Sequence, residues 1–182
     1  MDVLILALFI LIILFCIIFL SYMLIYNKLN DYIIRINEVE SNIDSSLRNK
    51  YDLINRSISI IKEKKEIDNK VFDEIIKLRS RKISNFELER KLTNAYNELD
   101  IVINNDKELN TNEELIKTLI SLKDINEKLE VLINYYNNNI TSYNKLIVMF
   151  PTNIVSQINK YKSKLFFDMK DMSDNNYEDF KL

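Results

Sequence analysis

The sequence predicts an all-α protein in which an N-terminal transmembrane helix is continuous with a long antiparallel helical bundle. Residues 3–26 carry no charged side chain and consist almost entirely of Leu, Ile, Phe and Val. The 182 residues contain no Gly and a single Pro, Pro151, so the residues that usually form tight turns are nearly absent. Beyond residue 26, apolar residues recur three or four positions apart, which is the spacing of one face of an α-helix.

Residues 3–26 are long enough to cross a bilayer, since about 20 apolar residues span its hydrocarbon core as a helix. A cleaved signal peptide is disfavoured, because Asp2 stands where such a signal has Lys or Arg and no small-x-small cleavage site follows. Tyr22 and Tyr26 lie at the end nearest Lys28, where interfacial aromatic residues are expected. We therefore expect a retained, single-pass anchor.

The charges that flank the anchor predict its orientation. Lys28 and Arg35 follow it, whereas no Lys or Arg precedes it. The positive-inside bias then places the N-terminus outside and the C-terminal domain in the cytoplasm. That domain is predicted to cover residues 27–167 as a helical bundle, and the acidic residues 168–182 are expected to form a disordered tail.

The first helices of the bundle are predicted from periodicity and from a capping signal. The apolar spacing continues across the membrane boundary through positions 26, 29, 33, 36, 43, 47, 51, 54, 58 and 61, so the anchor is expected to run unbroken to Glu66. A turn near residues 67–69 then leads to a short helix. Ser84 and Glu87 have capping-box spacing and predict the start of a third helix. Its inward residues are predicted to be Leu88, Leu92, Tyr96, Leu99 and Val102.

Residues 104–112 are predicted to be a polar connection, and Thr111 with Glu114 repeats the capping-box spacing before a long fourth helix. The apolar residues of that helix alternate steps of four and three, which is the heptad seam of a coiled coil. The seam consists of Leu115, Leu119, Leu122, Asn126, Leu129, Ile133, Tyr136, Ile140, Tyr143 and Ile147. Asn126 either fixes register or partner number, or it points at the seam's edge. The seam can pair within the chain or with a second copy.

The segment after Pro151 combines apolar residues predicted to share one face with lysines on the others. The apolar residues are Ile154, Ile158, Tyr161 and Leu165, and the lysines are Lys160, Lys162 and Lys164. If each helix reverses direction, the fourth returns toward the bilayer, where each Lys near an anionic leaflet adds about 1 kcal/mol of attraction. We hypothesise that these lysines contact lipid headgroups. The alternative is that the apolar face packs on the bundle and the lysines are solvated.

Two runs of residues resemble the motifs of the LemA family. The first lies in helix one and consists of Ile43, Asp44, Leu47, Lys50, Tyr51, Asp52, Leu53 and Ile54. The second ends the fourth helix and consists of Tyr136, Asn137, Ile140, Tyr143, Asn144, Ile147, Phe150 and Pro151. Between them Leu78-Arg79-Ser80 resembles the family's Ala-Arg-Ser step, and after them Leu165-Phe166-Phe167 resembles its closing aromatic segment.

The resemblance implies a bacterial single-pass protein of the inner membrane, with a cytoplasmic helical bundle and no agreed enzymatic activity. It also implies a role in membrane organisation or envelope stress. We predict a non-enzymatic scaffold or adaptor whose partners are membrane lipid and either another protein or a second copy of the chain. The alternative is a signalling module that relays membrane state through a shift of the bundle.

The composition argues against an enzyme. The chain has no His, its one Cys is Cys16 within the apolar run, and without Gly it cannot form either common type of phosphate-binding loop. The net charge of −2 includes no basic domain that would favour nucleic acid. We therefore predict no catalytic residue, no metal site, no cofactor and no small-molecule substrate.

Two pairs of residues have a functional and a plain structural interpretation. Asp44 and Arg79 lie on apolar-striped helices and are hypothesised to form an interhelical ion pair, the alternative being two separate solvated charges. Tyr136 and Tyr143, each followed by an Asn, are candidates for binding a polar ligand. More commonly such tyrosines are core rings whose hydroxyl groups reach a neighbour or water.

Overall fold

The computed structural model of the protein describes residues 2–65, 70–78 and 83–168. These residues form α1 Asp2–Lys64, α2 Lys70–Lys77, α3 Asn85–Asn104, α4 Lys107–Asn110, α5 Glu113–Val148 and α6 Thr152–Ile158. No strand occurs among the residues described, so the predicted all-α fold class is confirmed. The turn predicted near residues 67–69 and the acidic tail beyond residue 168 lie outside them.

Helix α1 shows that the apolar segment and the first helix of the bundle are one element. It runs unbroken, and the Lys65 amide donates to the Ile61 carbonyl at 2.9 Å to extend its last turn. The side chains of residues 3–20 are all exposed. Among the helices described, α1 is the one that is long and apolar enough to cross a membrane, by length and composition.

The chain divides into two compact units, each with its own core. Unit 1 comprises Met1–Glu38 and Asn137–Leu165, and unit 2 comprises Val39–Tyr136 and Phe166–Leu182. The buried apolar side chains of unit 1 are Leu29, Ile36, Ile140, Tyr143 and Val155. Unit 2 has the larger core, to which α1 to α5 all contribute, for example through Ile54, Phe72, Leu92, Leu99, Leu109 and Leu122.

Helix α3 begins where its capping signal predicts. The Ser84 side chain accepts a hydrogen bond from the Glu87 amide at 3.1 Å, which satisfies one of the free donors of the first turn. Leu92 and Leu99 are buried as expected. The rest of the predicted inward face is rotated, since Ala95 and Ile103 are buried whereas Leu88, Tyr96 and Val102 are half-buried.

The connection between α3 and α5 differs from the prediction in two ways. Residues 104–112 include a single helical turn, α4, which is capped by Asp106 and buries Leu109. The capping role predicted for Thr111 is wrong, because its hydroxyl donates to the Lys107 carbonyl at 3.0 Å at the end of α4. Asn112 caps α5 instead, and its side-chain oxygen accepts from the amides of the second and third helical residues.

Helix α5 carries the predicted seam in its seven-residue repeat. Leu115, Leu122, Leu129, Tyr136 and Tyr143, each seven residues from the next, are all buried. Among the intervening seam positions Ile140 is buried, while Leu119, Asn126, Ile133 and Ile147 are half-buried. The first series of seam positions is therefore buried, and the intervening series is mostly half-buried.

The face predicted after Pro151 is wrong. Helix α6 ends at Ile158, and Lys160 has a positive φ of 55°, which takes the chain out of the helix. Beyond that point no helical spacing connects the residues. Helix α6 buries Val155 and Ser156, and the side chains of Ile154, Ile158 and Leu165 are exposed.

Candidate functional site

A buried lysine joins two helices of unit 2. The Lys50 side chain on α1 is 0% exposed, and its ammonium group donates to the Thr93 hydroxyl on α3 at 2.8 Å. The Thr93 hydroxyl in turn donates to the Glu89 carboxylate at 2.7 Å, and Lys50 Nζ lies 3.6 Å from the same carboxylate. We call these three residues the Lys50 cluster; its hydrogen bonds fasten α1 to α3.

The electrostatics of the Lys50 cluster follow from its burial. Desolvation is the largest influence and lowers the pKa of Lys50, while the charge and hydrogen bonding of Glu89 oppose that shift. An ammonium ion without a partner would be very unfavourable in such a place, so the Glu89 carboxylate is required for the charged form. The cluster thus makes the packing of α1 against α3 depend on one specific register.

An open groove of about 370 Å³ lies beside the Lys50 cluster, between α3 and α5. Seven of its nine lining residues carry a polar side-chain group; the nine are Glu89, Thr93, Tyr96, Asn97, Asn126, Leu129, Glu130, Ile133 and Asn134. Asn126 lines the groove, and its side-chain oxygen is buried with no hydrogen-bond partner in the described structure. The groove offers amides and carboxylates to a polar ligand.

The Thr93 hydroxyl at the groove is engaged within the Lys50 cluster. It accepts a hydrogen bond from the Lys50 ammonium group and donates one to the Glu89 carboxylate. Among the described residues, no group of three or more His, Cys, Asp or Glu side chains could hold a metal ion. The arrangement therefore fits a structural fastening or a recognition surface.

Unit 1 contains a second polar arrangement, in which the chain after α6 follows α1. The Asn159 amide donates to the Tyr22 hydroxyl at 3.0 Å. The Tyr161 hydroxyl donates to Asn30 at 2.8 Å, and its ring lies 6.5 Å from that of Tyr26. Burial raises the pKa of the Tyr161 hydroxyl, with the neighbouring Tyr26 adding to the effect. These contacts fix the segment after α6 beside the end of the apolar run.

Tyr143 and Asn144 hold the same segment from the side of α5. The Asn144 amide donates to the Lys164 carbonyl at 2.8 Å, and its oxygen accepts from the Lys164 amide at 2.9 Å. The Tyr143 hydroxyl donates to the Lys162 carbonyl at 3.2 Å, and burial raises its pKa. These two motif residues therefore bind backbone of their own chain.

The remaining motif residues divide into core and surface positions. Ile43, Leu47, Ile54 and Tyr136 are buried, Tyr51, Leu53 and Asn137 are half-buried, and Asp52, Phe150 and Pro151 are exposed. The Tyr136 ring packs edge-on against Phe167, with centroids 6.4 Å apart. Asp44 pairs with Arg48 on the next turn of α1 at 2.8 Å, and Arg79 lies outside the described residues. Their proposed interhelical pair stays a prediction.

Sequence reasoning missed the Lys50 cluster. It assigned position 51 to the apolar stripe of α1, but Tyr51 is half-buried and Lys50 occupies the buried position. The signal was present, because Lys50 follows Leu47 by three residues and precedes Ile54 by four. A lysine at that spacing indicates a partner on another helix, although the spacing does not identify Glu89 and Thr93.

Comparison with known proteins gives one match. The model of the LemA family matches residues 39–179. No curated protein and no solved structure matches the chain.

Proposed function

The chain belongs to the LemA family, and on that premise we propose that it is a non-enzymatic, membrane-anchored helical scaffold or adaptor. The LemA family is not a known enzyme family. The observation that carries the proposal is α1, whose exposed apolar stretch is continuous with a helix that contributes to the core of unit 2. The same helix then serves as the membrane anchor and as a structural part of the helical domain.

We further propose, from its family, that the protein lies in a bacterial inner membrane, and, from the flanking charges, that its N-terminus is outside and its helical domain in the cytoplasm. Lys28 and Arg35, both after the apolar run, support this orientation. A role in membrane organisation or envelope stress is part of the same proposal.

The outer side of α5 supports the adaptor function. Ile116, Ile120 and Val131 are exposed there. Lys123 and Glu127 are exposed between them. Large apolar side chains grouped on one exposed helix face can mark a protein-interaction site. We propose that this surface, the outer face of α5, recognises a protein partner or a second copy of the chain.

Photocrosslinking of the full-length protein in its native membrane tests this function. A photoreactive residue at Val131 should give a reproducible crosslink to a protein, because its side chain lies on the outer face of α5. The matched control is the same residue at Ser121, which is exposed on another side of the helix. Equal labelling at both positions, or crosslinks to lipid alone, would refute an adaptor surface on α5.

The signalling alternative is favoured by a single observation. Helix α1 has no Gly or Pro to interrupt it between its apolar stretch and Lys64, so a rotation at one end can be transmitted along it. Two populated distances between spin labels on α1 and α3 of unit 2 would favour this alternative. One narrow distance distribution would favour the scaffold.

A further inference from the structure

The turn between α5 and α6 exposes apolar side chains to an unusual degree. We define the α5–α6 corner as residues 146–159. Within it the side chains of Val148, Met149, Phe150, Ile154 and Ile158 are all exposed, Phe150 at 79% and Val148 at 73%. Scattered single apolar residues on a surface are ordinary, but five within eleven positions form an apolar patch, and such patches mark sites that bind a membrane, a protein or a ligand.

The exposed apolar side chains of the α5–α6 corner lie on a turn that is held by hydrogen bonds. The Thr152 hydroxyl donates to the Met149 carbonyl at 2.8 Å and also to the Leu146 carbonyl, which closes the corner onto the end of α5. Helix α6 buries Val155 and Ser156 on its inner side. Ile154 and Ile158 are four residues apart, so they lie on the same face of α6, directed away from the core of unit 1.

Contacts within unit 1 fix the level of the corner along α1. Its last residue, Asn159, is hydrogen-bonded to the Tyr22 hydroxyl. Tyr22 lies inside the uncharged run of α1, six residues before Lys28, the first charge that follows Asp2. At a rise of 1.5 Å per residue the level of Tyr22 is about 9 Å on the apolar side of Lys28. The corner thus lies beside the end of the apolar stretch, where the aromatic belt of a bilayer would be.

The charge pattern of the corner also fits a bilayer surface. Residues 146–159 include no Asp, Glu, Lys or Arg. Lys145 precedes them and Lys160 follows them, and both lysines are exposed. Apolar side chains bracketed by lysines are typical of segments that lie in the plane of the interface, because the apolar groups enter the acyl boundary and the ammonium groups remain among the headgroups.

We propose that the α5–α6 corner is a second membrane attachment, which inserts Phe150, Ile154 and Ile158 into the leaflet that α1 leaves. The proposal rests on the anchoring of α1 in the membrane and adds a segment that enters the interface without spanning it. Segments of this kind bury their apolar face about 5–10 Å into the headgroup and acyl boundary. With two attachments, unit 1 has a fixed rotation about α1, and the inserted side chains occupy area in one leaflet only.

The test measures depth with a fluorophore on single cysteines of the full-length protein in liposomes. Cys16→Ala removes the native thiol, and Ile154→Cys carries an environment-sensitive dye at the corner. Leu11→Cys reports the anchor, and Ser121→Cys, also exposed but in unit 2 and outside the outer face of α5, is the control position. Liposomes include lipids with a nitroxide quencher either high on the acyl chain or near its end.

The dye at position 154 should shift its emission to the blue and lose intensity mainly to the shallow quencher, while the dye at position 121 remains water-exposed. The dye at position 11 should be quenched from within the acyl region. Quenching at position 11 with a water-like signal at position 154 would overturn the second attachment and leave the anchor intact. A blue-shifted signal at 154 that neither lipid quenches would show that protein, such as a second copy, covers the patch. Absence of quenching at position 11 would overturn the anchoring itself.

Discussion

The Lys50 cluster leads to a sharp prediction about stability. Glu89→Gln keeps the size of the side chain and its ability to accept a hydrogen bond from Thr93, but it removes the negative charge 3.6 Å from Lys50 Nζ. The Lys50 ammonium then remains fully buried without a counter-charge. Removing one partner of a buried pair costs about 3–5 kcal/mol. Because the Glu89 side chain is 26% exposed, we expect the low end, about 3 kcal/mol.

Lys50→Met is the matched variant. Methionine fills much of the volume of the lysine stem and leaves no buried charge, so the free energy of unfolding should change by less than about 1.5 kcal/mol. Glu89→Gln on the Lys50→Met background should then cost little, because the charge that Glu89 neutralises is gone. Glu89→Gln should therefore destabilise the protein more than Lys50→Met does. An argument from side-chain volume alone does not predict this order.

Urea unfolding of the full-length protein in a mild detergent, followed by helical circular dichroism, measures these differences. With a slope of about 2 kcal/mol/M, a loss of about 3 kcal/mol lowers the midpoint by about 1.5 M. Asp73→Asn, which breaks the exposed pair with Lys62, is the control and should leave the midpoint nearly unchanged, because exposed ion pairs contribute little to stability. A midpoint for Glu89→Gln equal to or above that of Lys50→Met would refute the reasoning.

Three further predictions follow from the same structure. The pKa of Lys50 in the folded protein lies below its ordinary 10.5, so between these two values the unfolded chain binds more protons and stability rises with pH. The native chain should therefore gain stability relative to Lys50→Met as the pH approaches 10.5. A difference in unfolding free energy that does not change with pH would contradict this. Asp106→Ala removes the cap of α4 and the ion pair with the lysine at position 65, and should lower the midpoint of urea unfolding. An unchanged midpoint would show that the turn needs no cap. If Lys160, Lys162 and Lys164 contact lipid headgroups, anionic liposomes should protect them from a water-soluble acylating reagent more than neutral liposomes do. Mass spectrometry measures the modification, and equal protection would refute the headgroup contact.

Predictions from the sequence succeeded where one stretch of chain contains the whole interaction. The Ser84 cap joins residues three apart, and the repeat from Leu115 to Tyr143 is a property of a single helix. The predicted start of α5 was wrong because two neighbouring residues could each cap the helix. Thr111 and Asn112 are both good capping residues, and the outcome depended on α4, whose end engages the Thr111 hydroxyl and leaves Asn112 to cap α5.

The candidate sites depended on long-range contacts. Lys50 and Thr93 are 43 positions apart, and Tyr22 and Asn159 are 137 apart. No spacing rule connects such residues, since the pairing is set by which helices pack and in which register. The predicted face after Pro151 failed for a related reason, because the backbone leaves the helix at Lys160 and α6 turns Val155 inward.

The sequence by itself determined that this protein is helical, that its N-terminal segment is apolar enough to cross a membrane, and that its motifs are those of the LemA family. The first two properties reside in composition and in spacings of three, four and seven residues, and the third in the identity of the motif residues. None of these depends on what the chain packs against. The tertiary structure decided that Lys50 is buried against Glu89 and Thr93 and that Phe150, Ile154 and Ile158 face outward beside the end of the apolar run. Burial is a property of the surroundings, and the surroundings of these residues come from segments far away in the chain.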